Sequence, residues 1–359
     1  MGKKLLITGN EAVGYGAIYA GCRNYFGYPI TPQNEVVEFF ARELPKIGGN
    51  FVQTESELTS INMVYGAVAT GVRAMTSSSS TGFSLMQECI AHMAYCSLPA
   101  VIVDVQRGGP GAGSTQTAQM DYAQVTKGGG NGDYYPLVLA PFSVQEIFEL
   151  IQRAFYLADK YHHPVIVLSD AILGQMMENL ELYSINFGPL PAKDWAATGQ
   201  GERKYRNTVP NIWTFFNNYR DIIVNLGKKY QEMTDNEVRF KTYEIEDAEM
   251  VIVAYGSSAR ISLETLRRLR PEGYKVGLIR PITLWPFPTK IIRETSHRVR
   301  NFLVVEDSLG QLVEDVEFAV EGRAEVHLLG SLARHLPTSS GMIFPKTVSE
   351  EVKNILCHK

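Results

Sequence analysis

The chain has 359 residues, 45% of them apolar, and sets 34 Lys and Arg against 38 Asp and Glu for a net charge of −4. With a pI near 6.0 there is no electrostatic drive toward nucleic acid or an anionic membrane face. No apolar run reaches the roughly 18 residues that would read as a membrane span, and at about 150 residues per domain the length predicts two cores.

In chain order, LLIT (5–8) reads as a strand before a helix from Glu11 to Cys22, and YFGYPI (25–30) as a strand before a helix from Pro32 to Glu43. There Thr31 suits an N-cap and Pro32 the first helical position. QTESELTSINMVYGAVATG (53–71) puts Glu55 and Glu57 at the head of a segment with no further charge before Arg73. Its Gly66, Ala67, Ala69 and Gly71 predict a helix that packs closely. SSSSTGFSLMQE (77–88) lacks the G-x-S-x-G elbow of a serine nucleophile and reads as a strand-to-helix turn whose hydroxyls cap the helix. AVIVDVQ (100–106), LVLAP (137–141) and VIVLSD (165–170) are continuous apolar runs, as in strands buried on both faces. The period-3.6 stretch from Ser143 to Tyr161 lies between the last two, so the alternation implies a parallel sheet covered on both sides.

From Asn186 the composition shifts to Pro, Gly, Lys and Arg, an exposed connection. It leads into a helix striped by Ile212, Phe215, Phe216, Tyr219, Ile222, Ile223 and Leu226. VIVAYGSSAR, YKVGLIRP, FLVVEDSLG and VHLLG then resume the alternation from about Met250. The expected fold class is α/β, with a parallel-sheet domain over 1–185, a linker with an amphipathic helix over 186–245 and a smaller domain over 246–359.

Three glycine-rich loops resemble nucleotide sites only superficially. GNEAVGYGA (9–17) lacks GxGxxG spacing, KGGGNGD (127–133) is a flexible turn, and GGPGAGST (108–115) has Ser114 where a P-loop needs lysine. Cys22, Cys89, Cys96 and Cys357 form no CxxC pair, which argues for a reducing compartment and against a zinc ribbon or an iron–sulfur cluster ligated within this chain. The histidines show no metal-ligand spacing, so no metal site is expected. MGKKLLITG is too short and strand-like for a secretory signal, so the expected location is cytoplasmic.

YPITP (28–32), the QTESEL…YGA segment, QRGGPGAGSTQTAQMD (106–121) and APFSVQE (140–146) occur in one order, followed by RPITLWPFP (280–288) and VVEDSLGQL (304–312). Together they resemble the α subunit of the 2-oxoacid:ferredoxin oxidoreductases over nearly the whole chain outside the linker. The likeness is greatest to the 2-oxoisovalerate (branched-chain) type, with the 2-oxoglutarate type as the alternative. The resemblance implies a pyrimidine-binding domain for thiamine diphosphate followed by a transketolase C-terminal-like domain. It matches Glu57 to the glutamate that activates the coenzyme at N1′ of its aminopyrimidine. Thr31 and Arg107 match the residues that hold the 2-oxocarboxylate, and Tyr28, Pro29 and Ile30 match the coenzyme-side loop. A guanidinium offers a carboxylate a two-pronged donor, and apolar surroundings raise a carboxyl pKa toward proton sharing. The plainer readings are a helix-dipole acid for Glu57 and a solvent-facing strand-end arginine for Arg107.

The family's diphosphate–Mg²⁺ motif, GDG, is missing; NGD at 131–133 has the wrong order. The resemblance therefore implies a β subunit carrying the diphosphate–Mg²⁺ site and an iron–sulfur cluster. It also implies γ and ferredoxin-like subunits, with coenzyme A as co-substrate and ferredoxin as electron acceptor. Two rival readings are another thiamine enzyme built on these domains and a non-catalytic Rossmann-like nucleotide-binding or scaffold protein.

Overall fold

The computed structural model of the chain describes residues 4–209, 219–330 and 342–357. Its larger sheet has seven strands in the order 283–285, 137–139, 165–170, 101–106, 74–78, 24–27 and 50–53. All are parallel except Thr283–Trp285, which pairs antiparallel with Leu137–Leu139. Val101–Gln106 and Val165–Asp170 are buried along their whole length, because helices cover both faces and no position looks out to water. Gly9–Tyr19, Asn34–Glu43 and Val144–Tyr161 pack on one face, and Glu57–Ala69 and Thr81–Tyr95 on the other. Ser143 caps the long helix by accepting from the Glu146 amide at 3.2 Å.

The second sheet orders its strands 325–330, 301–306, 250–253, 276–281 and 240–243, the last of them antiparallel. Met250 and Ile252 face the helices Gly256–Leu269 and Pro345–Cys357. Val251 and Val253 face the other way, where one apolar cluster runs through Tyr122, Tyr134 and Tyr255 into the helices of the first sheet. Two strands thus cross the divisions drawn from composition: Phe240–Tyr243 joins the second sheet, and Thr283–Trp285 completes the first.

Burial of ions ties the units further. Arg280, 0% exposed, places Nη1 and Nη2 at 2.6 and 2.8 Å from the two Glu146 oxygens, with its guanidinium 4.0 Å over the Phe142 ring. Asp170 accepts from the amides of Leu173 at 3.0 Å and Ser257 at 2.9 Å, the first turns of helices in different units.

Four local expectations are corrected. LLIT does form a strand, Lys4–Thr8, but it pairs with Met177–Glu181 in a separate two-stranded ribbon. Residues 31 and 32 form a turn, and the helix starts at Asn34 behind Gln33, so Thr31 is not its N-cap. Ser80 occupies the N-cap of Thr81–Tyr95 without a side-chain capping bond, because its hydroxyl is engaged elsewhere. Gly66 points to open space with nothing within 4 Å, since the buried stripe of its helix is Glu57, Ser60, Ile61, Val64 and Val68. Of the linker-helix stripe, Ile212, Phe215 and Phe216 lie outside the described residues, and the helix described is Tyr219–Asn236. Among the described residues no helix is long and apolar enough to cross a membrane.

Candidate functional site

In a parallel sheet the carboxyl ends of the strands point one way, and the loops that follow them gather along one edge. Here that edge collects residues 28–33, 54–57, 79–80 and 107–121. Glu57 opens its helix behind the N-cap Ser56, whose hydroxyl accepts from the Thr59 amide at 3.4 Å. The side chain is only 5% exposed, and among the described residues its carboxylate meets no donor. It lies against Gly82, where an added Cβ would stand 2.2 Å from both Glu57 Oε1 and Ser78 Oγ. The Ser78 hydroxyl is itself buried without a partner. Glu55 is exposed and accepts from the Thr59 hydroxyl, so it takes no part in this corner.

Arg107 and Thr31, 76 residues apart in sequence, are in contact: Arg107 Nη1 donates to the Thr31 carbonyl at 2.9 Å and Nη2 to that of Ala112 at 2.8 Å. Arg107 Nε is buried and unpartnered. Of the neighbouring loop, Tyr28 and Ile30 are half-buried and Pro29 is exposed. Gln33 steadies this loop by donating to the Tyr28 carbonyl at 3.0 Å while accepting from Ser77 Oγ at 2.6 Å. Asn10 donates to the Pro32 carbonyl at 2.7 Å.

The glycine loop 108–115 folds back on itself through the Gly108–Ser114 bridge. At Gly113, with φ of +58°, a Cβ would stand 1.7 Å from the Gly108 carbonyl oxygen. No helix follows it directly, so it makes no phosphate cradle. Lys127 pairs with Asp315 of the second unit rather than entering the edge cluster.

Sequence reasoning passed over the residues beneath these. Asp104, 0% exposed, accepts from the Ser80 amide at 3.0 Å; Asp121, 5% exposed, accepts from the Ser80 hydroxyl and from Gln124 Nε2 at 2.6 Å. Ser80 Oγ in turn accepts from the Arg107 amide at 3.0 Å. Burial pushes the Asp121 carboxyl up to about 6; burial and then the charge of Asp121 push Asp104 well above the usual carboxylate range. One signal was available: Asp104 is the lone charge in the strand Val101–Gln106, set among valine and isoleucine. Asp121 and Ser80 also line a cleft of about 690 Å³ with Gly109, Met120 and, from the second unit, Leu309 and Gln311. Among the described residues no group of three or more His, Cys, Asp or Glu could hold a metal ion.

The chain thus pairs two α/β units and brings an acid, Glu57, and a guanidinium, Arg107, to one carboxyl edge of the larger sheet. The backbone matches a split-gene transketolase at a TM-score of 0.60 with 15% identity over 98% of each chain, a likeness of fold alone. Residues 15–253 match the family model for pyruvate flavodoxin/ferredoxin oxidoreductase, thiamine diphosphate-binding, and residues 248–340 match pyruvate:ferredoxin oxidoreductase core domain II. The chain belongs to the 2-oxoacid:ferredoxin oxidoreductase family. It is 48% identical to the ketoisovalerate oxidoreductase subunit VorB of Methanothermobacter marburgensis over 92% of this chain and 94% of that one. To the 2-oxoglutarate synthase subunit KorA of the same organism it is 38% identical, again over 92% and 94%. A 2-oxoglutarate:ferredoxin oxidoreductase from Magnetococcus marinus, solved with 2-oxoglutarate, coenzyme A and succinyl-CoA bound, superposes with a TM-score of 0.85 at 27% identity. That match covers 98% of this chain and 65% of that one.

Proposed function

We propose that this chain is the coenzyme-activating subunit of an oxidoreductase that decarboxylates 2-oxoisovalerate to its acyl-CoA and CO₂ while reducing ferredoxin. The observation that carries the reading is the buried Glu57 carboxylate, without a donor and seated on Gly82, on the same sheet edge as Arg107. The 48% identity to a ketoisovalerate oxidoreductase subunit supports the choice of substrate.

An acid in dry surroundings suits the aminopyrimidine of thiamine diphosphate, whose N1′–H would supply the missing donor. When bound, that coenzyme provides a nucleophilic carbon and an electron sink. Glu57 holds the proton at N1′, and the unpaired Ser78 hydroxyl beside it is a second polar group in the same corner. Arg107 and the Thr31 turn receive the 2-oxocarboxylate, while Tyr28, Pro29 and Ile30 wall the coenzyme side. A β subunit holds the diphosphate with Mg²⁺ and an iron–sulfur cluster, γ and ferredoxin-like subunits complete a cytoplasmic assembly, and coenzyme A enters as co-substrate.

Reconstitution with the partner subunits tests this, with ferredoxin reduction followed on 2-oxoisovalerate, 2-oxoglutarate and pyruvate and coenzyme affinity followed by calorimetry. Glu57→Gln is expected to lower turnover about a thousandfold or more while the thermal midpoint stays in place. Near-normal turnover in that variant removes Glu57 from the mechanism, and faster turnover on 2-oxoglutarate overturns the substrate.

A further inference from the structure

Behind Arg107 lie two buried carboxyls that the reading above does not use. Asp104 Oδ1 receives the Ser80 amide at 3.0 Å, but Asp104 Oδ2 is buried with no donor. Asp104 and Asp121 are drawn onto one residue, Ser80, whose amide meets Asp104 Oδ1 and whose hydroxyl meets Asp121 Oδ2, and each carboxyl feels the other. Two carboxylates offer only acceptors, so contact between them requires a proton on one. Ser80, which bridges the pair, has φ of +37° and ψ of −91°, a conformation an L-residue keeps only when its surroundings over-determine it. Those surroundings are Asp104 on its amide, and Asp121 and the Arg107 amide on its hydroxyl. Two residues further on, Gly82 seats the Glu57 carboxylate. One short segment thus joins both functional groups of the edge.

We propose that Asp104 and Asp121 share a single proton, and that this proton locks Ser80 and with it Arg107 in the arrangement that binds the 2-oxoacid carboxylate. Loss of the proton to solvent puts a second negative charge beside the guanidinium, where it competes with the substrate. The inference rests on the reading of Arg107 as the carboxylate anchor.

The other ionisable groups packed nearby include Asp307, which is buried and pairs through its backbone with Gln119. Asp170 is held by the amides of Leu173 and Ser257, and Glu306 by those of Gln311, Leu312 and Val313. Tyr255 and Tyr122 are fully buried and pushed well above their ordinary value, so they stay neutral. Strand Ala74–Ser78, beside Asp104, brings hydroxyls and no charge. Glu57 lies beyond Gly82. Arg107 is the cation that faces Asp121.

The test uses the assembled enzyme and Asp104→Asn, which keeps an acceptor for Ser80 and offers Asp121 a permanent N–H in place of the shared proton. In the wild type, KM for the oxoacid is expected to rise about tenfold as pH rises through loss of the proton. In Asp104→Asn, KM is expected to stay flat with pH. Infrared spectroscopy of the wild type should show a carboxylic-acid C=O band that vanishes over the same pH range and is absent from the variant. A variant profile that follows the wild type's, or a wild type without that band, overturns the proposal. If Asp104→Asn does not assemble, the wild-type infrared titration decides alone. Arg107→Met should raise KM at every pH. An unchanged KM there overturns the anchor reading and the coupling to it, while the band still reports on the shared proton.

Discussion

Replacing Gly82 by alanine inserts one methyl group where the structure has room for none. The new Cβ would stand 2.2 Å from Glu57 Oε1, 2.2 Å from Ser78 Oγ and 2.7 Å from Glu57 Cδ, against 3.4 Å for the shortest ordinary contact. Glu57, at the head of its helix, must therefore retreat by about 1 Å or more, a misplacement that costs roughly a hundredfold in rate when a reacting group is involved. Overpacking costs about 1–3 kcal/mol, and part of it is offset by the roughly 0.5–1 kcal/mol that alanine gains over glycine within a helix. The fold should survive while turnover falls. Three measurements on the assembled enzyme separate these effects: ferredoxin reduction, circular dichroism of the bound coenzyme and the thermal midpoint. Gly66→Ala is the control, because nothing lies within 4 Å of its added methyl. It should stabilise by about 0.5–1 kcal/mol and leave turnover unchanged. Wild-type turnover in Gly82→Ala would refute the argument, since it would mean that the Glu57 carboxylate can move without consequence.

Arg280→Met strands the Glu146 carboxylate at the contact between the units and should lower stability by about 3–5 kcal/mol by chemical denaturation. Adding Glu146→Gln should restore part of that loss, and a fully additive double variant would refute a coupled pair. His163 is fully buried, with Nε2 3.1 Å from the Tyr135 carbonyl, and burial lowers its pKa from 6.5 to about 3. The unfolded chain therefore binds a proton that the folded chain refuses between those values. Stability from this residue is complete above pH 6.5 and falls as pH drops toward 3, by about 1.4 kcal/mol per pH unit. His163→Gln should flatten that part of the denaturation profile, and an unaltered slope would show that other groups set it.

Much of the architecture was legible because its signals are local. Apolar runs such as AVIVDVQ and VIVLSD announce strands covered on both faces, and the stripe in Ser143–Tyr161 announces a helix. Glu57 stood out as an acid heading an uncharged segment, and the ordered motifs around Thr31 and Arg107 pointed to their family. The capping assignment at Ser80 went astray because a hydroxyl at a helix start has competitors that a local window does not contain, and that at Thr31 because the helix begins only at Asn34, behind a turn. Ser80 bonds to Asp121, 41 residues away, and the Ser77 hydroxyl to Gln33, 44 residues away.

The sequence by itself determined the α/β class, the two-unit plan and the identity of the chemical groups, since periodicity and residue type are properties of short windows. Only the tertiary structure decided which groups meet. Strand order brings Arg107 to Thr31 across 76 residues, and the register of Ser78 on Asp104 sets the Ser80 loop over the buried acid pair. Strand Thr283–Trp285 completes a sheet begun some 250 residues earlier in the chain. Such pairings depend on which distant surfaces bury one another, and that free energy is settled only when the whole core closes.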